Sequence, residues 1–296
     1  MKKEYLLNCI FVLFLSFQFV SCESSEENVK FGLITDVHYA RCENIGNRNY
    51  DQSDDKVRIA MDEFKLHSLD FIIQLGDFKD QGKTREETIT FLKEINGVLD
   101  SYGKPIYHVL GNHDMDNISK KDFLSNITSP SECRGKNYYS FKVRGIKFIV
   151  LDANYRLDET DYDSGNYNWE EAMIPKHEMD WLSKELKDGD EPVVVFIHQL
   201  LDTDSNIYKG LYVHNAAEVN HLMIQSKRVL AVFQGHHHEG AYSIQDNIHY
   251  FTMKGMVEGK LPNSNSYAIV EIMPNGDILI DGYALCPDKI LRNLSK

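Results

Sequence analysis

Five short segments of this chain put Asp, Asn and His at the ends of apolar runs, and that placement restricts the fold more than any other feature. They read Thr35-Asp36-Val37-His38, Gly76-Asp77-Phe78-Lys79-Asp80, Gly111-Asn112-His113-Asp114, Phe196-Ile197-His198 and Gly235-His236-His237-His238. Each follows a β-rich run: KFGLIT, DFIIQL, PIYHVL, PVVVFI and VLAVFQ. A short, continuous apolar run reads as a strand buried on both faces, and a Gly just beyond it permits a tight turn into a loop. Helical spacing separates the runs, over Ser53 to His67 (Ile59, Ala60, Phe64, Leu66), Arg85 to Tyr102, Lys176 to Lys187 and Ala216 to Lys227. Strand alternating with helix is what a parallel sheet requires, so the fold class is α/β.

In an open α/β sheet, polar groups gather at the carboxyl ends of the strands, where loops carry them without burying unpaired backbone. Five such ends can deliver two Asp, one Asn and four His to one edge. Carboxylate, carboxamide and imidazole together suit Mn, Fe or Zn better than calcium, which takes oxygen alone. Two divalent ions roughly 3.5–4 Å apart, sharing one carboxylate, form the usual two-metal hydrolase centre. Each segment has a plainer reading by itself: Asp36 and Asp77 as helix caps, Gly111-Asn112 as a turn, a lone His as a core residue. None of these explains all five in register.

The series D-x-H, G-D-x-x-D, G-N-H-D, H and G-H-x-H resembles the calcineurin-like metallophosphoesterase superfamily, from about Lys30 to Tyr283. That resemblance implies a four-layer αββα sandwich of mixed sheets. Position by position, it implies Asp36, His38, Asp77 and His238 around one metal. Asp77 would bridge to a second metal completed by Asn112, His198 and His236. His113 would be the catalytic acid or transition-state donor, with Asp80 hydrogen-bonded to its ring. His237 has no ligand counterpart. Within the superfamily, QLGDFKDQG, YYSFKVRGIKFIVLDAN, YNW, HNAAEV, GHHHEGAY and IHYFTMKGMVE are most similar to manganese-dependent ADP-ribose/CDP-alcohol diphosphatases. The implied reaction is cleavage of the phosphoanhydride of nucleoside diphosphate conjugates by a hydroxide shared between the metals. The alternatives are hydrolysis of cyclic nucleotides or other external phosphate esters, or a binding lipoprotein that kept its metals and lost turnover. Purple acid phosphatases fit less well, because they carry Tyr where Asp80 stands. The sequence also shows GNHD where these diphosphatases tend to show GNHE.

Three hairpins are expected beyond Lys136. They are Tyr138 to Val143 with Ile146 to Leu151, Ala241 to Ile244 with Ile248 to Met253, and Tyr267 to Met273 with Ile278 to Tyr283. The last turns at Asn275-Gly276. Two insertions are candidates for substrate choice. Ala153 to Ile174 carries Tyr155, Tyr167 and Trp169, rings that could stack on a base or could pack on the loop itself. Leu201 to Asn215 carries His214 and Asn215, which could reach a phosphate, although Asn215 could equally cap the next helix.

The amino terminus reads as an export signal. Lys2 and Lys3 precede an apolar stretch from Leu6 to Val20, and residues 1–21 are expected to be removed. Cys22 then resembles the acylated first residue of a bacterial lipoprotein, the alternative being an ordinary signal peptide cleaved nearby with Cys22 incidental; an acidic tether is expected over 22–29 and one domain over 30–296. An exported protein, membrane-anchored through lipid only and either periplasmic or on the outer-membrane surface, is the expectation. The formal charge of −13 argues against bulk nucleic-acid binding, which needs Lys and Arg to neutralise phosphates. A small, nucleotide-derived phosphorylated substrate is compatible, since bound metals supply local positive charge. Cys42, Cys133 and Cys286 do not make a disulfide framework, although one bridge could form.

Overall fold

The computed structural model describes residues 27–166, 168–202 and 207–294, so the expected signal, Cys22 and Tyr167 lie outside the described residues. Two six-stranded mixed sheets face each other. The first has the order β12-β11-β10-β1-β2-β3, from Lys289–Leu291, Ile278–Ala284, Ser266–Ile272, Val29–Ile34, Phe71–Gln74 and Ile106–His108. In it, β1, β2 and β3 run parallel and β10 pairs antiparallel with β1. The second has the order β4-β5-β6-β7-β9-β8, from Tyr139–Val143, Ile146–Val150, Val193–Phe196, Val229–Gln234, Ile248–Thr252 and Ala241–Gln245. Here β5, β6, β7 and β9 are parallel, with antiparallel hairpin partners at both edges.

Aromatic side chains join the sheets. Phe31 on β1 stacks on Phe71 of β2 and meets Phe148, Phe196 and Phe233 of the facing sheet edge-on, at centroid distances of 4.9 to 6.0 Å. Edge-to-face contact is the favoured geometry, because a ring's positive rim meets the negative face of its neighbour. Helices cover the outer faces, giving the expected four layers. On the first sheet, α1 (Ser53–Lys65) buries Val57, Ala60, Met61 and Phe64, one stripe at helical spacing. Ile59 and Leu66, expected on that stripe, are 44% and 77% exposed. α2 (Arg85–Asp100) begins at Thr84, whose hydroxyl accepts from Glu87 N at 3.2 Å. The short α3 (Lys120–Ser125) follows β3. On the second sheet, α4 (Lys176–Glu185) and α5 (Ala216–Ser226) pack Leu182, Val219 and Met223 against Ile149, Val195 and Val232.

The three hairpins form as expected. β12 and α3 lack a periodic signal and were not foreseen, and β3 covers only the first part of its apolar run. Cys42, Cys133 and Cys286 are all free. Among the described residues no helix is long and apolar enough to cross a membrane.

Candidate metal centre

The loops after β1, β2, β3, β6 and β7 meet at one end of the two sheets. Backbone bonds join them: Asp36 N to Gly76 O at 3.0 Å, His38 N to Asp77 O at 2.9 Å, and Gly235 N to His198 O at 3.0 Å. The turns are too close for side chains on their glycines. A Cβ on Gly111 would lie 2.1 Å from Asp77 N, and one on Gly235 would lie 2.2 Å from Thr35 Oγ1. Asp36, His38, Asp77 and His236 all adopt positive φ, between 48° and 66°. For residues other than Gly, such backbone costs on the order of 1–3 kcal/mol each and clusters at functional sites.

Four overlapping groups of donors result, two of which take in His113, with His38 and Asp77 or with Asp80 and Asp116; of the others, Asp36, His38 and His238 form one and Asp77, His198 and His236 the second. Asp77 stands between them, with Oδ2 3.6 Å from His38 Nε2 and 3.2 Å from His198 Nε2. Its other oxygen accepts from His113 N at 2.8 Å. Asn112 Oδ1 and His236 Nε2 are buried without a hydrogen-bond partner, and Asp36 Oδ1 and His198 Nε2 meet only other members of the cluster, His238 Nε2 and Asp77 Oδ2, each at 3.2 Å. An unpaired buried polar atom costs about 1–3 kcal/mol, so donors gathered this way around one space fit cations that would coordinate them. The far side of two rings is already engaged: His198 Nδ1 donates to Leu75 O at 2.7 Å and His238 Nδ1 to Glu258 Oε1 at 2.7 Å. Each bond fixes the tautomer that leaves Nε2 free to ligate.

The electrostatics agree. Burial alone would raise the Asp77 carboxyl, but the imidazoles of His198, His113 and His38 outweigh it and hold Asp77 well below the ordinary carboxylate range. Burial works against a charged His198, yet Asp77 and Asp36 lift it to about 9. His238 is likewise lifted to about 8 against burial, by Asp36 and Glu258. Loading cations therefore has to displace protons.

The calcineurin-like phosphoesterase family matches residues 29–240. The chain belongs to that family. It is thus a hydrolase of the metallophosphoesterase class. A rice protein named manganese-dependent ADP-ribose/CDP-alcohol diphosphatase is 24% identical, over 88% of this chain and 93% of its own. A Fibrobacter succinogenes protein named "Probable cyclic nucleotide phosphodiesterase" is 24% identical, over 76% of this chain and 78% of its own. The zebrafish dimetal phosphatase structure superimposes with a TM-score of 0.76 at 22% identity, covering 90% of this metallophosphoesterase and 99% of the zebrafish chain. At that identity, the superposition establishes the shared fold.

Several expected site residues take other positions. Asp80 Oδ2 bonds His38 Nδ1 at 3.3 Å, whereas Asp80 Oδ1 lies 3.9 Å from His113 Nδ1, beyond hydrogen-bond reach. Tyr155 is 3% exposed; its hydroxyl accepts from Asn137 and Lys120 Nζ sits 3.4 Å from its ring centroid, so it packs the loop body. Asn215 stands at the N-cap of α5, as one reading expected, but its side chain makes no capping bond and instead bonds both N and O of Ile174, at 3.1 and 2.8 Å. His214 donates to Glu170 O at 3.0 Å. Trp169 does stand at the site, 41% exposed, with its ring 6.4 Å from His236 and 5.9 Å from Tyr208. The Tyr208 hydroxyl bonds the Glu170 carboxylate, tying the two insertions together.

Four supporting residues escaped the sequence reading. Asp114 accepts from Phe78 N at 3.0 Å and Gly111 N at 2.8 Å, bracing two metal loops. The buried Lys79 ammonium donates to His113 O at 2.6 Å. Glu258 holds His238, and Lys56 fixes the Glu258 loop by donating to the carbonyls of Met256, Glu258 and Gly259 at 2.8–2.9 Å. For Asp114 and Lys79 a local signal existed, since each stands two residues beyond a candidate ligand, Asn112 and Asp77; Glu258 and Lys56 are brought in by tertiary packing alone.

Proposed function

We propose that the chain is a dinuclear-metal phosphohydrolase that cleaves the phosphoanhydride of nucleoside diphosphate conjugates of the ADP-ribose or CDP-alcohol type. The observation that carries the two-metal reading is the convergence, on either side of Asp77 Oδ2, of buried carboxylate, carboxamide and imidazole donor atoms that are unpaired or partnered only by one another. Asp36, His38, Asp77 and His238 would hold one cation, with Asp77 shared, and Asn112, His198 and His236 the other. Manganese is the first choice, on the name of the rice relative, and iron or zinc suit the same donors.

Bound there, the cations supply Lewis acidity, which lowers the pKa of water and neutralises charge developing on the phosphoryl oxygens. His113 is a quarter exposed at the edge of the cluster, with Nδ1 turned to Asp116, and its Nε2 is assigned to the substrate. As the oxygen of a water that has given one proton to solvent bonds to phosphorus and the bond to the leaving oxygen breaks, His113 gives that leaving oxygen a proton and is reprotonated from solvent. Such transfer typically contributes about 10²–10⁴-fold. The nucleoside is assigned to the exposed Trp169–Tyr208 pair, because base–aromatic stacking is worth about 1–3 kcal/mol. Export and acylation of Cys22 complete the proposal, on the sequence of the amino terminus, and place the substrate outside the cytoplasm.

The test is hydrolysis of ADP-ribose, CDP-choline, 2′,3′-cAMP and p-nitrophenyl mono- and diesters by metal-stripped, Mn-reconstituted protein, with Asp77→Ala as blank. Fastest cleavage of the two diphosphates is expected. Preference for 2′,3′-cAMP or the diester would move the assignment to a phosphodiesterase, the reading favoured by the Fibrobacter relative's name.

A further inference from the structure

We propose that Asp116 is the positioning residue of His113, and that Asp80 instead orients the ligand His38. The inference rests on the reading of His113 as the proton donor. Both Asp116 oxygens lie near His113 Nδ1, Oδ1 at 3.2 Å and Oδ2 at 3.3 Å. The Asp116 side chain is 4% exposed, so little water competes for this bond. Asp80 has spent its oxygens elsewhere: Oδ2 on His38 Nδ1 at 3.3 Å and Oδ1 on Gln81 N at 2.8 Å.

Local structure explains the arrangement. Asn112–Met115 forms a 3₁₀ turn ended by Asp116, whose N–H donates to His113 O at 3.2 Å. At three residues per turn, side chains i and i+3 eclipse, which sets the Asp116 carboxylate beside the His113 ring. The turn itself is anchored by Lys79 on His113 O and by Asp114 on Gly111 N. The carboxylate therefore reaches the ring from a fixed backbone. Asp80, on a different loop, reaches the back of His38, whose Nε2 faces Asp77 and His238. Two carboxylates thus divide the work: one holds the proton donor and the other holds a metal ligand. A carboxylate on Nδ1 keeps the proton on that nitrogen and fixes the orientation of the ring, so its loss should lower turnover without touching metal binding.

Two measurements test this division. In kinetics on Mn-loaded enzyme, Asp116→Asn should lower kcat about tenfold or more, but no further than His113→Ala, with KM and metal stoichiometry unchanged. Adding Asp116→Asn to His113→Ala should cost nothing more. Asp80→Asn should raise the metal concentration needed for activity about 10- to 100-fold. The second measurement does not depend on activity. In zinc-loaded protein with ¹⁵N-labelled histidine, Asp116→Asn should shift the His113 Nδ1 resonance and leave His38 in place, and Asp80→Asn should do the reverse. Should Asp116→Asn fail to fold, Asp116→Glu, which keeps the charge but lengthens the arm, is read by the same signal. If Asp80→Asn moves the His113 ring and the Asp116 variants do not, the assignment is wrong. A wild-type protein that cleaves no phosphate substrate would refute the proposed function, while the ring resonances would still identify the carboxylate that holds His113.

Discussion

Replacing Glu258 with Ala should weaken metal binding on the Asp36–His38–His238 side by about 10- to 100-fold, the usual cost of removing an outer partner from a ligating histidine. The bond at stake is 2.7 Å long and joins side chains that are 13% and 19% exposed. A charge-assisted hydrogen bond in such surroundings contributes about 1.5–3 kcal/mol, and each tenfold change in affinity corresponds to about 1.4 kcal/mol, so the two figures agree. The loss should remain local. Lys56 holds this loop through the carbonyls of Met256, Glu258 and Gly259, contacts that a side-chain change at 258 leaves in place. Glu258→Gln keeps an oxygen acceptor without the charge and should cost less than tenfold. Calorimetric Mn titration reads the affinity directly. Thermal unfolding gives a second reading, because with saturating metal a tenfold weaker site forfeits about 1.4 kcal/mol of ligand-linked stability. Unchanged affinity in Glu258→Ala would refute the positioning argument. A large fall in the melting temperature of the metal-free variant would show instead that Glu258 supports the fold.

Four further outcomes are expected. Gly111→Ala should abolish metal binding on both sides, because its Cβ would fall 2.1 Å from Asp77 N and force the two turns apart; metal analysis of the purified variant decides. Mn binding should release protons and tighten as pH rises towards 9, since His198 and His238 hold protons up to about 9 and about 8 in the metal-free site; titration in buffers of different ionisation enthalpy measures this. Trp169→Ala should lower kcat/KM on ADP-ribose about tenfold more than on a phosphate ester without aromatic groups, and equal losses would remove Trp169 from substrate recognition. Buried His108 is pushed down by burial to about 4, so between the unfolded value near 6.5 and 4 the unfolded chain binds the extra proton. Its stabilising contribution is complete above about pH 6.5 and falls by roughly 3 kcal/mol as pH drops to 4, which His108→Asn should flatten in denaturant titrations.

Sequence spacing located the candidate metal loops because a strand buried on both faces has only its ends to carry polar groups, and each of the five strands stops two to four residues before Asp36, Asp77, Asn112, His198 or His236. The same logic fails one step further out. Tyr155 and Trp169 sit in one aromatic-rich insertion with nothing in the sequence to separate them, yet one is buried on Lys120 and Asn137 and the other faces His236. Only the packing of the loop against α3 and the second sheet decides which ring stays free. Glu258 comes from a strand exit near the end of the chain, and its partner is set by the buried Lys56 of α1. For the two carboxylates near His113 the margin is smaller still, because Asp80 Oδ1 misses the ring nitrogen at 3.9 Å and Asp116 Oδ1 reaches it at 3.2 Å. Spacing can bring both residues to one strand end, but a difference of less than an ångström, enough to make or break a hydrogen bond, is set by the 3₁₀ turn and the Lys79 contact that fixes it. A motif can therefore stand intact in the sequence while the carboxylate nearest its histidine, here Asp116, lies two positions beyond the end of the motif.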